Sequence, residues 1–320
     1  MTVAVALVLI VSVSRAAPSV AFDGLADPRP QVGTAAAGHK EDKVFTVEPG
    51  TLTEARISVG EVHLFPITLA SEQFLSLVVE QRGVDLVVTL IREEDDTPVL
   101  QVDTTNATRG EESLFFVAEK AGSYKVKVQP VAAGSGGNYA LLIKALREAL
   151  PADRLLSAGT KSMAEGDRLR KLATGETLAK AIDEYAQALT SWRQAGNAKE
   201  ETKTLYNTGL SHARLDDYPR ALEFYLPLPP RMREHGTEEE QAALLLNIAI
   251  GTLNIGEKSD ALTYFEQARQ LFERLNIPRG LAFTLGELGR SHYLLGENQV
   301  ALDYYGRALT IWQEIGNERG

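Results

Sequence analysis

The 320-residue chain carries 33 Lys and Arg against 43 Asp and Glu, a formal net charge of −10. That balance excludes nucleic-acid binding through overall charge, and the sequence holds no local basic patch to replace it. Cysteine is absent, which excludes disulfides, thiolate nucleophiles and cysteine metal sites, and the five histidines (His39, His63, His212, His235, His292) show no HxxxH spacing that sets two ligands on one helical face, so no metal and no cofactor are expected.

Met1 to Val13 form a short apolar run, followed by Arg15 and small residues ending in Ser19-Val20-Ala21. The run is too short to span a bilayer, which takes roughly 20 apolar residues, and its end fits a cleavage site. Residues 1–21 are therefore expected to be a signal peptide and the protein to be exported, with membrane association only through an uncleaved signal. No basic residue precedes the run, and a buried strand is the competing reading. Residues 22–43, rich in Ala, Gly, Pro and charge, read as a linker.

From Val44 to Leu146 the chain divides into short β-rich runs at Gly, Asp, Asn and Pro: Val44–Val47, Glu54–Ser58, Val62–Leu69, Phe74–Glu80, Leu86–Ile91, Val99–Val102, Leu114–Ala118, Tyr124–Val128 and Tyr139–Ile143. Many short strands without a helical period between them predict an antiparallel β-sandwich over residues 44–147. Tyr124, Val126 and Val128 share one face and Lys125 and Lys127 the other, so that sheet has a wet side. Leu86–Ile91 is apolar on both faces and is expected to be a central strand covered on both. Gly122 and Gly137 are expected to supply positive φ just before strand-opening tyrosines. Glu93-Glu94-Asp95-Asp96 lack the alternating ligand spacing and turn glycine of a calcium loop and read as a solvated hairpin, and the sequon Asn106-Ala107-Thr108 as an exposed turn. The runs Val62–Ile67, Leu75–Glu80, Val84–Leu90 and Gly122–Val128 together resemble a bacterial pre-peptidase C-terminal domain, which implies a jelly-roll-like accessory module that binds or spaces.

The C-terminal half repeats itself. Ala181, Ala221, Ala261 and Ala301 recur every 40 residues, each followed four residues on by Tyr185, Tyr225, Phe265 and Tyr305 and seven on by Ala188, Leu228, Ala268 and Ala308. Small, aromatic and small residues at this spacing share one helical stripe, letting a neighbouring helix approach while the ring fills the gap. A preceding helix repeats as Leu205, Leu245, Leu285; Thr208, Ile248, Leu288; and Gly209, Ala249, Gly289, with Leu215, Ile255 and Leu295 closing it and Asp216, Gly256 and Gly296 at the turn. Leu288-Gly289, Gly296, Ala301 and Tyr305 resemble the tetratricopeptide repeat, in the longer-helix form of the kinesin-light-chain-like subgroup. The whole chain thus reads as a multidomain protein, a sandwich followed by an all-α solenoid. The first copy departs from the pattern with Leu169 at the small position, so residues 148–179 are expected to be a cap or partial repeat and residues 180–320 the repeats proper. Pro227, Pro229 and Pro230 are expected to end the second copy's helix near Tyr225 or kink it there.

His212 and His292 share a repeat position, as do Trp192 and Trp312, and packing is the expected role of both pairs, with catalysis by the histidines the alternative. The resemblance implies a concave face built from the first helices, onto which Asn207, Arg214, Asn247, Asn254, Glu287, Arg290 and Tyr293 map. These side chains could clamp the backbone of a protein or peptide partner, though the same polarity suits a merely solvated face. The last helix ends with Leu309, Ile311, Trp312 and Ile315 still available for packing, so the array is expected to be truncated. A sandwich followed by such repeats resembles the N-terminal part of bacterial CHAT-domain proteins, in which a caspase-like peptidase domain follows. The expected function is a non-catalytic interaction scaffold, and the alternative is the regulatory arm of such a peptidase.

Overall fold

The structure, a computed structural model, describes residues 42–103, 108–131 and 136–317. The expected signal segment, all but the last two residues of the expected linker, and Asn106-Ala107 of the sequon lie outside these.

The N-terminal half is a two-sheet sandwich. Its strands are β1 (Lys43–Val44), β2 (Leu52–Ile57), β3 (His63–Leu69), β4 (Gln73–Arg82), β5 (Leu86–Arg92), β6 (Thr97–Val102), β7 (Arg109–Val117), β8 (Gly122–Pro130) and β9 (Gly137–Glu148). One sheet runs β1-β3-β8-β5-β6 and the other β2-β9-β4-β7, and each expected run overlaps a strand, although Val44–Val47 does so only at Val44, with Phe45–Val47 outside β1. All pairings are antiparallel except β1 with β3, which is parallel. Period-two alternation sends Phe65, Leu77, Val79, Leu90, Phe116, Val126 and Leu141 into the space between the sheets. As expected, β5 lies between β8 and β6 and is buried on both faces. The acidic run forms the exposed β5–β6 turn, with Asp96 in the left-handed region and paired to Lys125 on β8 at 2.8 Å.

The expectation for Gly122 and Gly137 is corrected: neither has positive φ. Gly137 is required for a different reason, since a Cβ there would sit 2.6 Å from the carbonyl oxygen of Gly83. The left-handed turns are made instead at Gly50, Gly60 and Gly83.

A third layer covers the outer face of the β2-β9-β4-β7 sheet. The outward residues of β4, Phe74, Ser76 and Val78, are buried as well as its inward ones, at 3%, 6% and 7% exposed against 0%. β9 passes through Ala149-Leu150 directly into helix α1 (Pro151–Leu172), which lies against β7. The Ser157 hydroxyl accepts the backbone N–H of Val117 at 3.1 Å. An otherwise open sheet edge is thereby occupied, which removes a site for aggregation. Asp153 fixes the junction by accepting the Leu150 N–H at 2.7 Å and pairing with Arg147. Burial opposes its ionisation, but these partners outweigh burial and hold its carboxyl below the usual carboxylate range.

The remaining helices are α2 (Gly175–Ala195), α3 (Ala198–Arg214), α4 (Tyr218–Tyr225), α5 (Leu228–His235), α6 (Glu238–Asn254), α7 (Lys258–Arg274), α8 (Pro278–Leu294) and α9 (Asn298–Asn317). They stack as antiparallel pairs, and the small–aromatic–small stripe of the second helix is buried against the first, except that Tyr305 of α9 is only half-buried. Pro227 ends α4 at Tyr225, as expected, and Leu228 restarts the chain as α5 with its side chain still in the core. The turns at Asp216, Gly256 and Gly296 have positive φ. Leu215, Ile255 and Leu295 close the first helices as their C-caps, as expected, and are 37%, 46% and 43% exposed. In the first pair, α1 and α2, Gly166 rather than Leu169 meets the Tyr185 ring, with an added Cβ falling 2.6 Å from it. Gly166 precedes Tyr185 by 19 residues where Gly209 precedes Tyr225 by 16, so the three-residue offset hides the match from a strict period of 40.

Candidate functional site: the inner helices and the sandwich seam

The first helices of successive pairs, α1, α3, α6 and α8, neighbour one another along one side of the array, and polar bridges join them. Asn207 donates from Nδ2 to Asp167 at 2.8 Å, and Asn247 from Nδ2 to the Tyr206 hydroxyl at 2.9 Å. Both amides are 2% exposed. They are therefore corrected from groove candidates to internal struts, because a fully buried amide must find its partners within the fold. Asp167 also accepts from the Tyr185 hydroxyl at 2.7 Å and faces Arg170 at 3.8 Å. Burial raises its carboxyl above the usual range while Arg170 and Tyr185 pull it back.

The other five candidates remain reachable. Arg214 is half-buried and donates to the backbone oxygen of Arg170 at 2.9 Å. Arg290 donates to Glu287 at 3.1 Å and to Asn254 at 3.3 Å, bridging α8 to α6. Tyr293, one turn on, is 45% exposed. Asn254, Glu287, Arg290 and Tyr293 thus form one cluster at the C-terminal end of the inner side, and Arg214 stands apart on α3.

The N-terminal end of that side faces the sandwich. Contacts come from α1, α3 and the start of α6. Phe115 on β7 meets the buried Trp192 ring edge-on at 6.2 Å, beside Leu156 and Met163. Beyond this apolar contact the seam is ionic. Lys199 reaches Glu111 at 2.6 Å, Lys203 donates to the Glu111 backbone oxygen at 2.9 Å, and Lys171 pairs with Asp103. Burial lowers the Lys203 ammonium, but Glu200, Glu112, Glu240 and Glu111 outweigh it and raise the group above its ordinary value. Here sheet and helices diverge into a cleft of about 560 Å³, floored by Arg82, Arg109 and Glu111 and walled by Lys199, Lys203, His235 and Thr237. Sequence reasoning missed this cleft. Its available signal was β4, whose Phe74–Val79 run is as apolar on both faces as Leu86–Ile91 and so announced a covering layer.

The repeat-equivalent histidines pack as expected. His212 stacks on Phe224 at 5.4 Å beside Asp217, and His292 on Tyr304 at 5.2 Å beside Glu297. Each ties the end of a first helix to the second helix of its pair. Trp192 is buried in the core, whereas Trp312 is 39% exposed with Arg279 over its ring. Among the described residues no group of three His, Asp or Glu side chains is arranged to hold a metal ion, and no helix is long and apolar enough to cross a membrane.

A β-sandwich carrying paired-helix repeats on its outer face is a modular architecture in which stacked repeats build an extended surface. Residues 240–314, from α6 into α9, match the tetratricopeptide repeat family. No curated protein matches this chain. Among solved structures it is similar to the apo form of RapI, at 19% identity and a TM-score of 0.46 over 50% of this chain and 57% of that one. It is also similar to a Rap protein complexed with competence and sporulation factor, at 14% identity and 0.44 over 52% and 45%. The chain thus spans about half the length of these two. The pre-peptidase C-terminal domain of collagenase from Bacillus anthracis aligns at 19% identity and 0.28 over 33% of this chain and 98% of that domain.

Proposed function

We propose that the chain is a protein-interaction scaffold that takes an extended protein or peptide segment along the inner helices, at Asn254, Glu287, Arg290 and Tyr293. One observation carries this reading: the four side chains cluster on adjacent first helices, stay accessible, and combine a guanidinium, a carboxylate, an amide and an aromatic ring. Such a set can engage a peptide backbone and one apolar side chain together. Burial raises the Glu287 carboxyl above the usual range, with Arg290 opposing, so a partner that covers the cluster would bear on that pair most. Panning a displayed library of random dodecapeptides against the full chain, then measuring anisotropy of the enriched peptides, tests the reading. Arg290→Ala or Tyr293→Ala should weaken binding about tenfold or more, roughly 1.4 kcal/mol. Peptides that bind both variants as tightly as wild type would move the site elsewhere.

The order of sandwich before repeats also supports a role as the regulatory arm of a caspase-like peptidase, a reading tested by whether a His- and Cys-bearing domain is encoded beyond Gly320. Export is proposed from the apolar leader, and N-terminal sequencing of protein collected outside the cytoplasm should begin after Ala21. A cytoplasmic protein retaining Met1 would refute it.

A further inference from the structure

The helices cover only part of the outer face of the β2-β9-β4-β7 sheet, and register draws two charged rows across the remainder. Arg56 on β2 lies opposite Asn138 on β9, Asn138 opposite Arg82 on β4, and Arg82 opposite Arg109 on β7. Two residues along each strand, the next row is Glu54, Ala140, Glu80 and Glu111. Ile57, Tyr139, Val79 and Leu114 face the core, so the two-residue period turns both rows outward. Every member of the first row is exposed. The glutamates of the second row are all matched: Arg82 donates to Glu54 and, at 2.8 Å, to Glu80, and Lys199 reaches Glu111 at 2.6 Å. That leaves the two ends of the first row. Arg56 and Arg109 make no hydrogen bond or ion pair among the described residues, and Arg109 only faces Glu239 on α6. Arg82 and Arg109 also lie directly opposite each other, and like charges so placed repel. Both line the cleft, whose remaining carboxylate, Glu240, is taken up by the Thr237 N–H at 2.7 Å.

We propose that this arginine row binds a short extended peptide carrying acidic side chains four residues apart, laid across the strands from Arg56 on β2 to Arg109 in the cleft. The spacing decides the ligand. Neighbouring strands lie about 4.8 Å apart, so three intervals put Arg56 about 14 Å from Arg109. An extended chain rises about 3.3 Å per residue and returns to the same face every second residue, so acids at i and i+4 lie about 13 Å apart and point the same way. Each guanidinium fork can take one carboxylate through two N–H donors. Asn138, between them, offers an amide that both donates and accepts, as a peptide backbone requires. A ligand carboxylate at Arg109 would also relieve its repulsion with Arg82. The net charge of −10 outside the row opposes a long polyanion, which would run on over acidic surface, and favours a short acidic segment. The row stands on the sandwich, apart from the cluster at Asn254, Glu287, Arg290 and Tyr293, and does not rest on that reading.

Fluorescence anisotropy of fluorescein-labelled Glu-Thr-Val-Thr-Glu, titrated with the full chain, should show saturable binding with a Kd below about 1 mM. Replacing both glutamates of the peptide with glutamine should weaken binding about tenfold or more, as should Arg56→Ala or Arg109→Ala in the protein. Arg56→Lys keeps the charge and loses the fork, and should recover only part of that affinity. Because both arginines are exposed, the thermal midpoints of these variants should match wild type, which separates lost binding from lost folding. Glu-Glu-Thr-Val-Thr, whose adjacent acids point to opposite faces and reach one arginine at a time, should bind several-fold more weakly, and Arg290→Ala should leave binding unchanged. Absence of saturable binding, equal affinity for the glutamine peptide, or wild-type affinity in both alanine variants would overturn the proposal. So would a heparin hexasaccharide that binds through Arg56 and Arg109 while the glutamate peptide does not, since the row would then be a sulfated-glycan site.

Discussion

Gly209 and Gly289 let an aromatic ring of the second helix lie directly on the backbone of the first. At Gly209 an added Cβ would overlap the Tyr225 ring, which is wholly buried and cannot yield. Gly209→Ala should therefore destabilise the protein by about 1–3 kcal/mol despite alanine's better helix propensity, read as a lower urea midpoint. Asn207 makes a contrasting case. Its removal strips the buried Asp167 of one donor, and Asn207→Ala should cost about 1–3 kcal/mol with no effect on peptide binding. Single residues were legible in the sequence where the fixed interval held. Gly166 was not, because three extra residues between it and Tyr185 break the period. Asn207 and Asn247 were misplaced because a polar residue on a helix face looks the same whether its partner is water or a neighbouring helix.

At the scale of elements, strands and helices could be read from alternation and repetition, and the proline break at Tyr225 from the missing N–H groups. The contact between sandwich and array was the harder part. It depends on what lies over the outer face of β4, and periodicity reports burial without naming the cover. Phe115→Ala removes the ring that meets Trp192 and should cost about 2 kcal/mol, with Trp192 emission shifting to the red as its surroundings become wetter. An unchanged spectrum would mean that the Phe115 ring does not shield Trp192 from water.

Across the whole molecule, each pair of the array rests on its neighbours, so unfolding should not be a single transition. Among the described residues α9 has Leu309 and Trp312 open to solvent, and its amides should exchange fastest, with protection increasing toward α1. Uniform protection from α2 to α9 would show a more cooperative array. The two-residue passage from β9 into α1 bears on how the molecule answers mechanical load. Tension applied at the far end of the array reaches the sandwich through Ala149-Leu150 and arrives on β9, a strand hydrogen-bonded along both edges by β2 and β4. Those bonds share the pull, whereas helix pairs that are held only by their neighbours give way in turn. Under stretch the helical half would pay out stepwise as a spring while the sandwich holds fast as its anchor.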